Sequence, residues 1–98
     1  MPLVISNNIL AKIGGEDHGG LTRKDIEECF ENHPGKVCLD KRPEHADRNG
    51  NPPLWFVAEN NHLRKIKITY VREGKTVTLL SAYPATEEVE RIFNKYCQ

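Results

Sequence analysis

A ten-residue stretch of this chain concentrates positive charge. Between Leu63 and Arg72 there are two arginines, two lysines and no acidic residue, the cations being Arg64, Lys65, Lys67 and Arg72. Like charges at alternate positions of a strand repel one another, so a negatively charged ligand would stabilise them, and phosphate is the usual candidate. The alternative is that these side chains only keep an exposed sheet face in water. The pattern alone leaves both interpretations open.

Three other side chains could complete a site for a phosphate ester. His45 lies in a segment dense in ionisable groups, and histidine is the commonest general acid or base near neutral pH. His18 and His62, in or beside turns, are lesser candidates for the same role. Tyr83 should end a strand next to the basic one, where its hydroxyl could act as an acid. Trp55 could stack on a nucleobase if it lies on the basic face.

These residues suit the cleavage of RNA by its own 2′-hydroxyl, which needs a base, an acid and cations around the phosphate but no metal. Arg64 and Lys67 would stabilise the phosphorane, and Lys65 or Arg72 would hold the RNA backbone. By strand parity Lys65 and Lys67 share a face, whereas Arg64 points to the other face unless a bulge intervenes. The cations therefore need not all serve one site.

The chain as a whole is neutral, because 14 Lys and Arg balance 14 Asp and Glu in 98 residues. Neutrality excludes long-range steering toward nucleic acid, so any phosphate binding must be local. The length and a hydrophobic content of 38% indicate a single domain over residues 1–98. Uncharged apolar runs stay far below the roughly 18–20 residues of a membrane-spanning helix. We expect a cytoplasmic protein without membrane contact.

The cysteines indicate neither disulfides nor a metal site. An odd count without a CxxC motif is a poor disulfide framework, so Cys29, Cys38 and Cys97 are predicted to be reduced. Cys29 and Cys38 lie near His33 and His45, but the spacings lack the paired short ligand hairpins of structural zinc sites. The chain also lacks the glycine-rich motifs that hold nucleotide phosphates. We predict no metal and no cofactor.

Capping signals and hydrophobic periodicity predict the order of the elements. Two helices come first, one capped by Ser6 and the other by Thr22. A strand at 36–41, an irregular loop at 42–53, and three strands at 54–59, 63–72 and 76–83 follow, and a last helix is capped by Thr86. This order predicts an α+β fold with N-terminal helices, a four-stranded antiparallel sheet and a C-terminal helix, the helices packing on one sheet face. Whether residues 3–5 add an edge strand is left open.

Two stretches resemble the BrnT-like family of small bacterial toxins: HGGLTRKDIEECFEN at 18–32 and RKIKITYVREGKTVTLLSAYPATEEVERIFNKY at 64–96. The family has a His-Gly segment before an acidic helix, and a strand reading Ile-Ser-Ala-Arg before Ala-Thr and a glutamate-rich helix. Tyr83 stands at the family's strand arginine, and Asp17 at the lysine before its His-Gly. The resemblance implies a RelE-related fold and a metal-independent ribonuclease that is neutralised by an antitoxin.

Two functions of different classes follow. The first is the toxin of a type II toxin–antitoxin system, an endoribonuclease with RNA as substrate and a cognate antitoxin protein as partner. The second is a non-catalytic interaction module, such as a small phage-encoded inhibitor or adaptor, whose basic face meets an acidic partner. Tyr83 in place of the family's arginine favours the second, because fold does not fix function. RNA binding without cleavage is a third reading, and it would leave no products.

Overall fold

The computed structural model describes residues 2–40 and 52–97. Over these residues the chain forms nine elements in the order β1 (Leu3–Val4), α1 (Asn7–Ile13), a 3-10 turn (Glu16–His18), α2 (Arg23–Glu31), β2 (Cys38–Leu39), β3 (Leu54–Glu59), β4 (Lys65–Glu73), β5 (Thr76–Pro84) and α3 (Glu87–Tyr96). The predicted α+β class is confirmed.

The local signals for helix starts are confirmed. Ser6 caps α1, and its hydroxyl accepts a hydrogen bond from the amide of Ile9. Thr22 and Asp25 form a capping box at the start of α2, in which each side chain accepts a hydrogen bond from the other residue's backbone amide. Thr86 caps α3. Each cap satisfies amide groups that the first helical turn cannot bond internally.

The sheet differs from the prediction in strand number and direction. The described strands form one five-stranded sheet in the order β1-β5-β4-β3-β2, antiparallel except for β1, which runs parallel to β5. A four-stranded, purely antiparallel sheet is therefore wrong. The extra strand has only two residues, too few for an alternation of polar and apolar side chains to show in the sequence.

Helices cover both faces of the sheet, which corrects the expectation that they pack on one. The Phe56 ring lies 5.2 Å from that of Phe30 in α2, whereas the ring of the preceding residue, Trp55, lies 5.8 Å from that of Phe93 in α3. Successive strand residues point to opposite faces, so α2 and α3 lie on opposite sides. We call these sides the α2 face and the α3 face. The apolar stripe in the sequence of α3 predicts that this helix packs against the sheet, but it does not predict on which face.

The α2 face is the closed core and the α3 face is partly open. Side chains that are fully enclosed between the sheet and the N-terminal helices include Ile13, Ile26, Cys29, Phe56, Ile66 and Ile68. On the other face Phe93 of α3 is buried and belongs with Val57 to the hydrophobic core, while Trp55, Lys67 and Tyr83 stay half-buried. The open part of the α3 face is thus where described residues of the basic strand can meet a ligand.

Cys38 and Cys97 form a disulfide, with their Cα atoms 4.8 Å apart. The prediction of reduced thiols is wrong for this pair, while Cys29 is free and buried. The two partners are 59 residues apart in sequence and meet because β2 and the end of α3 reach the same sheet edge. Spacing along the chain cannot show such a meeting. No helix within residues 2–40 and 52–97 is long and apolar enough to cross a membrane.

Candidate functional site

Three of the predicted site residues meet on the α3 face. The ammonium group of Lys67 donates a hydrogen bond to the hydroxyl of Tyr83, with 3.0 Å between Nζ and Oη. The same ammonium lies 4.6 Å from the centre of the Trp55 ring and 5.4 Å from that of the Tyr83 ring. We call Trp55, Lys67 and Tyr83 the Lys67 cluster.

Strand register brings the cluster together. Lys67 in β4 pairs directly with Tyr83 in β5 and with Val57 in β3, two residues from Trp55. Side chains opposite one another in an antiparallel pair have Cβ atoms about 4.5–5.5 Å apart, and diagonal neighbours remain within reach of large rings. The pairing of β3 with β4 is unbroken along all of β3, and the β4–β5 register shifts only beyond Thr69. The sheet thus holds the three side chains in a fixed arrangement.

The contacts of the cluster define what it can do chemically. Two aromatic faces stabilise the Lys67 ammonium, which also keeps hydrogen-bond donors besides the one given to Tyr83. Because the Tyr83 oxygen accepts from this ammonium, its own proton remains available for donation to a ligand. A cation and a proton donor side by side are suited to a phosphate ester: the cation offsets charge on the phosphate oxygens and the hydroxyl protonates the departing oxygen.

Lys65 shares the face of Lys67 but is engaged by α3. Its ammonium forms an ion pair with the carboxylate of Glu90. The hydrogen bond that Lys65 donates to Glu90, and the charge of that carboxylate, raise the pKa of Lys65 above the ordinary value. Desolvation opposes this slightly, and the charge of Glu59 makes the smallest contribution, also raising the pKa. A ligand that bound Lys65 would have to compete with Glu90.

Arg64 lies on the other side of the sheet, as strand parity predicts. A Cβ atom added at Gly19 would clash with a terminal guanidinium nitrogen of Arg64 and lie 2.6 Å from Cγ of Pro84, so the guanidinium rests against Gly19. The charge of Arg64 also helps to lower the pKa of Asp25 at the start of α2. Its guanidinium therefore contacts the segment before α2 and does not join the Lys67 cluster.

Arg72 is separated from the cluster along the strand. It lies five residues after Lys67, which corresponds to roughly 17 Å at the rise of an extended chain. Its side chain bends back on its own hairpin, where Nε donates to the carbonyl of Gly74 at 3.2 Å. A role for Arg72 in binding RNA would therefore need a ligand several nucleotides long.

Among the histidines that the structure describes, His18 is the one with a ring contact to the site. Its ring centre lies 6.5 Å from that of Tyr83 in an edge-to-face arrangement. The 3-10 turn that carries it ends at Gly19, whose φ of 80° is left-handed. The signal in the sequence is the His-Gly-Gly run, because a glycine is needed both for that φ and for the close approach of Arg64. His45, the predicted base, lies outside the described residues.

His33 and Cys29 serve the fold. The Nδ1 atom of His33 accepts from the amide of Gly35 at 2.9 Å, its ring packs on Phe56, and burial lowers its pKa. Burial, together with the charges of Asp25 and Glu28, raises the pKa of Cys29 to about 12. Across residues 2–40 and 52–97 no three His, Cys, Asp or Glu side chains are grouped to hold a metal ion. Cys38 of the rejected zinc set is in the disulfide.

A groove on another part of the surface lacks a cation that could bind phosphate. About 640 Å³ in volume, it is lined by Asn32, Pro34, Val57, Ala58, Glu59, Asn60, Asn61 and Leu63, none of them a cation. Its polar groups are used internally: the Asn32 side-chain amide donates to the Glu59 carbonyl, and that of Asn60 donates to Asp25. We therefore place the candidate phosphate site at the Lys67 cluster, which has a cation.

The comparisons with known proteins do not supply a family. No protein-family model matches the chain, and no curated protein matches it. The likeness to BrnT-like toxins accordingly rests on the two stretches quoted above.

Proposed function

We propose that this protein is the toxin component of a type II toxin–antitoxin system, a metal-independent endoribonuclease that acts on RNA in the cytoplasm. The observation that carries the proposal is the hydrogen bond of 3.0 Å between Lys67 Nζ and Tyr83 Oη beside the Trp55 ring. A cation, a proton donor and an aromatic face within one contact cluster are what a single-stranded phosphodiester requires.

The residues would divide the reaction as follows. The 2′-hydroxyl attacks the adjacent phosphorus, and a base takes its proton. Lys67 offsets the charge that develops on the phosphorane oxygens, and Tyr83 donates its proton to the departing 5′-oxygen as that P–O bond breaks. The products are a 2′,3′-cyclic phosphate and a free 5′-hydroxyl. Trp55 would stack on a flanking base.

Two histidines compete for the role of base in this proposal. His18 is favoured by position, because its ring centre is 6.5 Å from that of Tyr83, a separation that suits an acid and a base on either side of one phosphate. His45 remains the prediction from sequence. Comparing the pH–rate profiles of His18→Ala and His45→Ala would decide between them, because only loss of the true base removes the fall in rate at low pH that protonation of the base causes.

The second candidate is a non-catalytic interaction module. The contacts that Lys65 and Lys67 already make within the protein favour it. Lys65 is paired with Glu90, and the Lys67 ammonium is already in contact with two rings and a hydroxyl. Cations satisfied within the protein have less to gain from a phosphate. The half-buried face would then dock an acidic protein surface through exchange of these contacts.

One experiment separates the candidates. Purified protein is incubated with single-stranded RNA in the presence of a metal chelator, and wild type is compared with Lys67→Ala. Lys75→Ala is the matched control, since Lys75 is an exposed lysine in the hairpin turn after β4. Cleavage by wild type and Lys75→Ala but not by Lys67→Ala supports the toxin. RNA that is bound but not cleaved indicates binding alone. If the protein neither binds nor cleaves RNA, the interaction module is the candidate that remains.

The toxin also implies a partner. Induction of the chain in cells should arrest growth, and co-expression of the protein encoded by the neighbouring gene should restore it. The Lys67→Ala variant, expressed at the same level, should not arrest growth. If wild type and the Lys67→Ala variant arrest growth equally, the toxicity does not depend on the Lys67 cluster.

A further inference from the structure

The disulfide joins α3 to the strand edge beside the Lys67 cluster. Cys38 in β2 pairs directly with Trp55 in β3, and Cys97 follows the last residue of α3. The amide of Cys97 still bonds to the carbonyl of Phe93, so the bond to Cys38 fixes the helix end itself. The disulfide thus determines how the C-terminal end of α3 sits on the α3 face.

Trp55 links this helix to the cluster. Its ring centre is 5.8 Å from that of Phe93, and the Lys67 ammonium stands 4.6 Å from the same ring centre. A displacement of Phe93 would therefore change the surroundings of Trp55, and with them those of Lys67.

The other attachments of α3 are non-covalent: Phe93 is buried in the core and Val89 packs against it. Near its start Glu90 pairs with Lys65 at the protein surface, where ion pairs contribute little. The Lys36 ammonium lies 4.8 Å from the centre of the Phe93 ring. The helix has ten residues, a length at which an isolated helix is marginal in water. The covalent link therefore adds to this packing a restraint on the C-terminal end of the helix.

We propose that Cys38 and Cys97 form a reversible thiol–disulfide exchange site that controls the α3 face: the oxidised form clamps α3 over it, and reduction by a dithiol releases α3 and frees Lys65 for phosphate ligands. The freed cation lies on the same strand face as Lys67. The effect on RNA rests on the proposed function, whereas the effect on Trp55 does not.

The exchange balances with a dithiol as reductant. A thiolate of the dithiol attacks Cys38 Sγ, which belongs to a half-buried residue, while Cys97 is only 7% exposed. The bond between the two cysteines breaks and Cys97 leaves as a thiolate, which takes up a proton. The second thiolate then attacks the mixed disulfide, releasing Cys38 and the reductant as its own disulfide. Two electrons pass to the protein.

The third cysteine does not compete in this exchange. Cys29 is fully buried on the α2 face, on the opposite side of the sheet from the disulfide, and its Sγ lies 3.8 Å from the carbonyl oxygen of Ala58. Thiol–disulfide exchange needs an accessible thiolate, and the buried Cys29 thiol is not accessible. The pair Cys38–Cys97 therefore switches between two defined states.

Trp55 gives a direct test, because it is the single tryptophan of the chain. Its fluorescence is followed while the protein is reduced with dithiothreitol, with thiols counted by mass after alkylation. Reduction should shift the emission of wild type to longer wavelength, while the far-UV circular dichroism keeps the signal of the sheet and of the N-terminal helices. The double variant Cys38→Ser/Cys97→Ser should emit like the reduced protein and not respond. Unchanged emission, or a far-UV spectrum of a fully unfolded chain on reduction, would overturn the proposal, the latter because the bond would then be required for the whole fold.

RNA binding is measured on the same samples with a short 2′-O-methyl oligonucleotide that cannot be cleaved. Reduction should tighten binding by about two- to fivefold, the effect of one freed surface cation. Equal binding in both states would contradict control of the face. If emission shifts but neither state binds the oligonucleotide, the proposed function fails and the exchange site stands. If binding is present and emission does not move, the function stands and the exchange site fails.

Discussion

Lys67 and Tyr83 face one another across β4 and β5, and the lysine ammonium donates to the tyrosine hydroxyl over 3.0 Å. The backbone register alone brings these two residues together, so neither depends on a loop for its position. Such a placement on paired strands fixes a site more firmly than loop residues would.

Removing the Lys67 cation should weaken RNA binding without unfolding the protein. Lys67→Ala is expected to lower affinity for single-stranded RNA by about tenfold and to reduce the slope of log affinity against log salt by about one. Lys67→Arg should retain most of the affinity. The measurement is fluorescence anisotropy over a salt series. An unchanged slope in Lys67→Ala would show that Lys67 contacts no phosphate.

Removing only the Tyr83 hydroxyl should separate chemistry from binding. Tyr83→Phe keeps the ring beside Lys67 but has no proton to give, so the cleavage rate should fall by about 10²-fold or more while affinity stays close to wild type. Single-turnover kinetics at saturating protein measures the rate. Full activity of Tyr83→Phe would exclude the tyrosine as the acid.

The two glycines of the His-Gly-Gly run should respond differently to alanine. Both have positive φ, 80° for Gly19 and 66° for Gly20, but only Gly19 has atoms against its Cβ position. Gly20→Ala should cost about 1–2 kcal/mol of unfolding free energy, from backbone strain alone. Gly19→Ala should cost more, because Arg64 and Pro84 must also move. Urea denaturation would measure both, and equal losses would contradict the close packing of Arg64 on Gly19.

Asp25 should make stability fall in acid. Burial raises its pKa, but hydrogen bonds from the Thr22 amide, the Asn60 side chain and the Thr22 hydroxyl, with the charge of Arg64, bring the pKa below 3.8. A carboxyl with a lowered folded-state pKa stabilises the fold above its unfolded pKa, and the effect is lost as pH falls through the folded value. Asp25→Asn should therefore destabilise the protein at pH 7 and differ less from wild type near pH 3. A constant difference at both pH values would be the contrary result.

The disulfide should contribute to stability by an amount set by the chain that it closes. Its partners are 59 residues apart, and for loops of this size the cross-link contributes roughly 2–4 kcal/mol by restricting the unfolded chain. The double variant Cys38→Ser/Cys97→Ser should have a lower urea midpoint than oxidised wild type. Reduced wild type should match the double variant. If reduction leaves the midpoint unchanged, the bond does not constrain the unfolded chain.

Local signals predicted the elements, and long-range packing decided the rest. Ser6, Thr22 and Thr86 mark helix starts through bonds to residues three positions on, and the alternation of β4 is visible within one strand. The face chosen by α3 and the pairing of β1 depend on residues far apart in sequence, so they could not be predicted. The same holds for the disulfide.

The candidate site divides along the same line. Lys67, Tyr83 and Trp55 can be identified from the sequence because strand order places them on neighbouring strands, and strand parity separates Arg64 from Lys67. The contact of the His18 and Tyr83 rings cannot be identified in this way, because the two residues are 65 positions apart in the sequence. The pairing of Lys65 with Glu90 is hidden for the same reason, since it depends on the sheet face that α3 covers.

The most direct test of the central claim is a double-mutant cycle on RNA cleavage in a metal chelator, with wild type, Lys67→Ala, Tyr83→Phe and the double variant. Because the two side chains act on one phosphate as a unit, the double variant should be no slower than the slower single variant by more than a small factor. Wild type should leave 2′,3′-cyclic phosphate ends. Fully additive losses, or no cleavage by wild type, would contradict a ribonuclease centred on Lys67 and Tyr83.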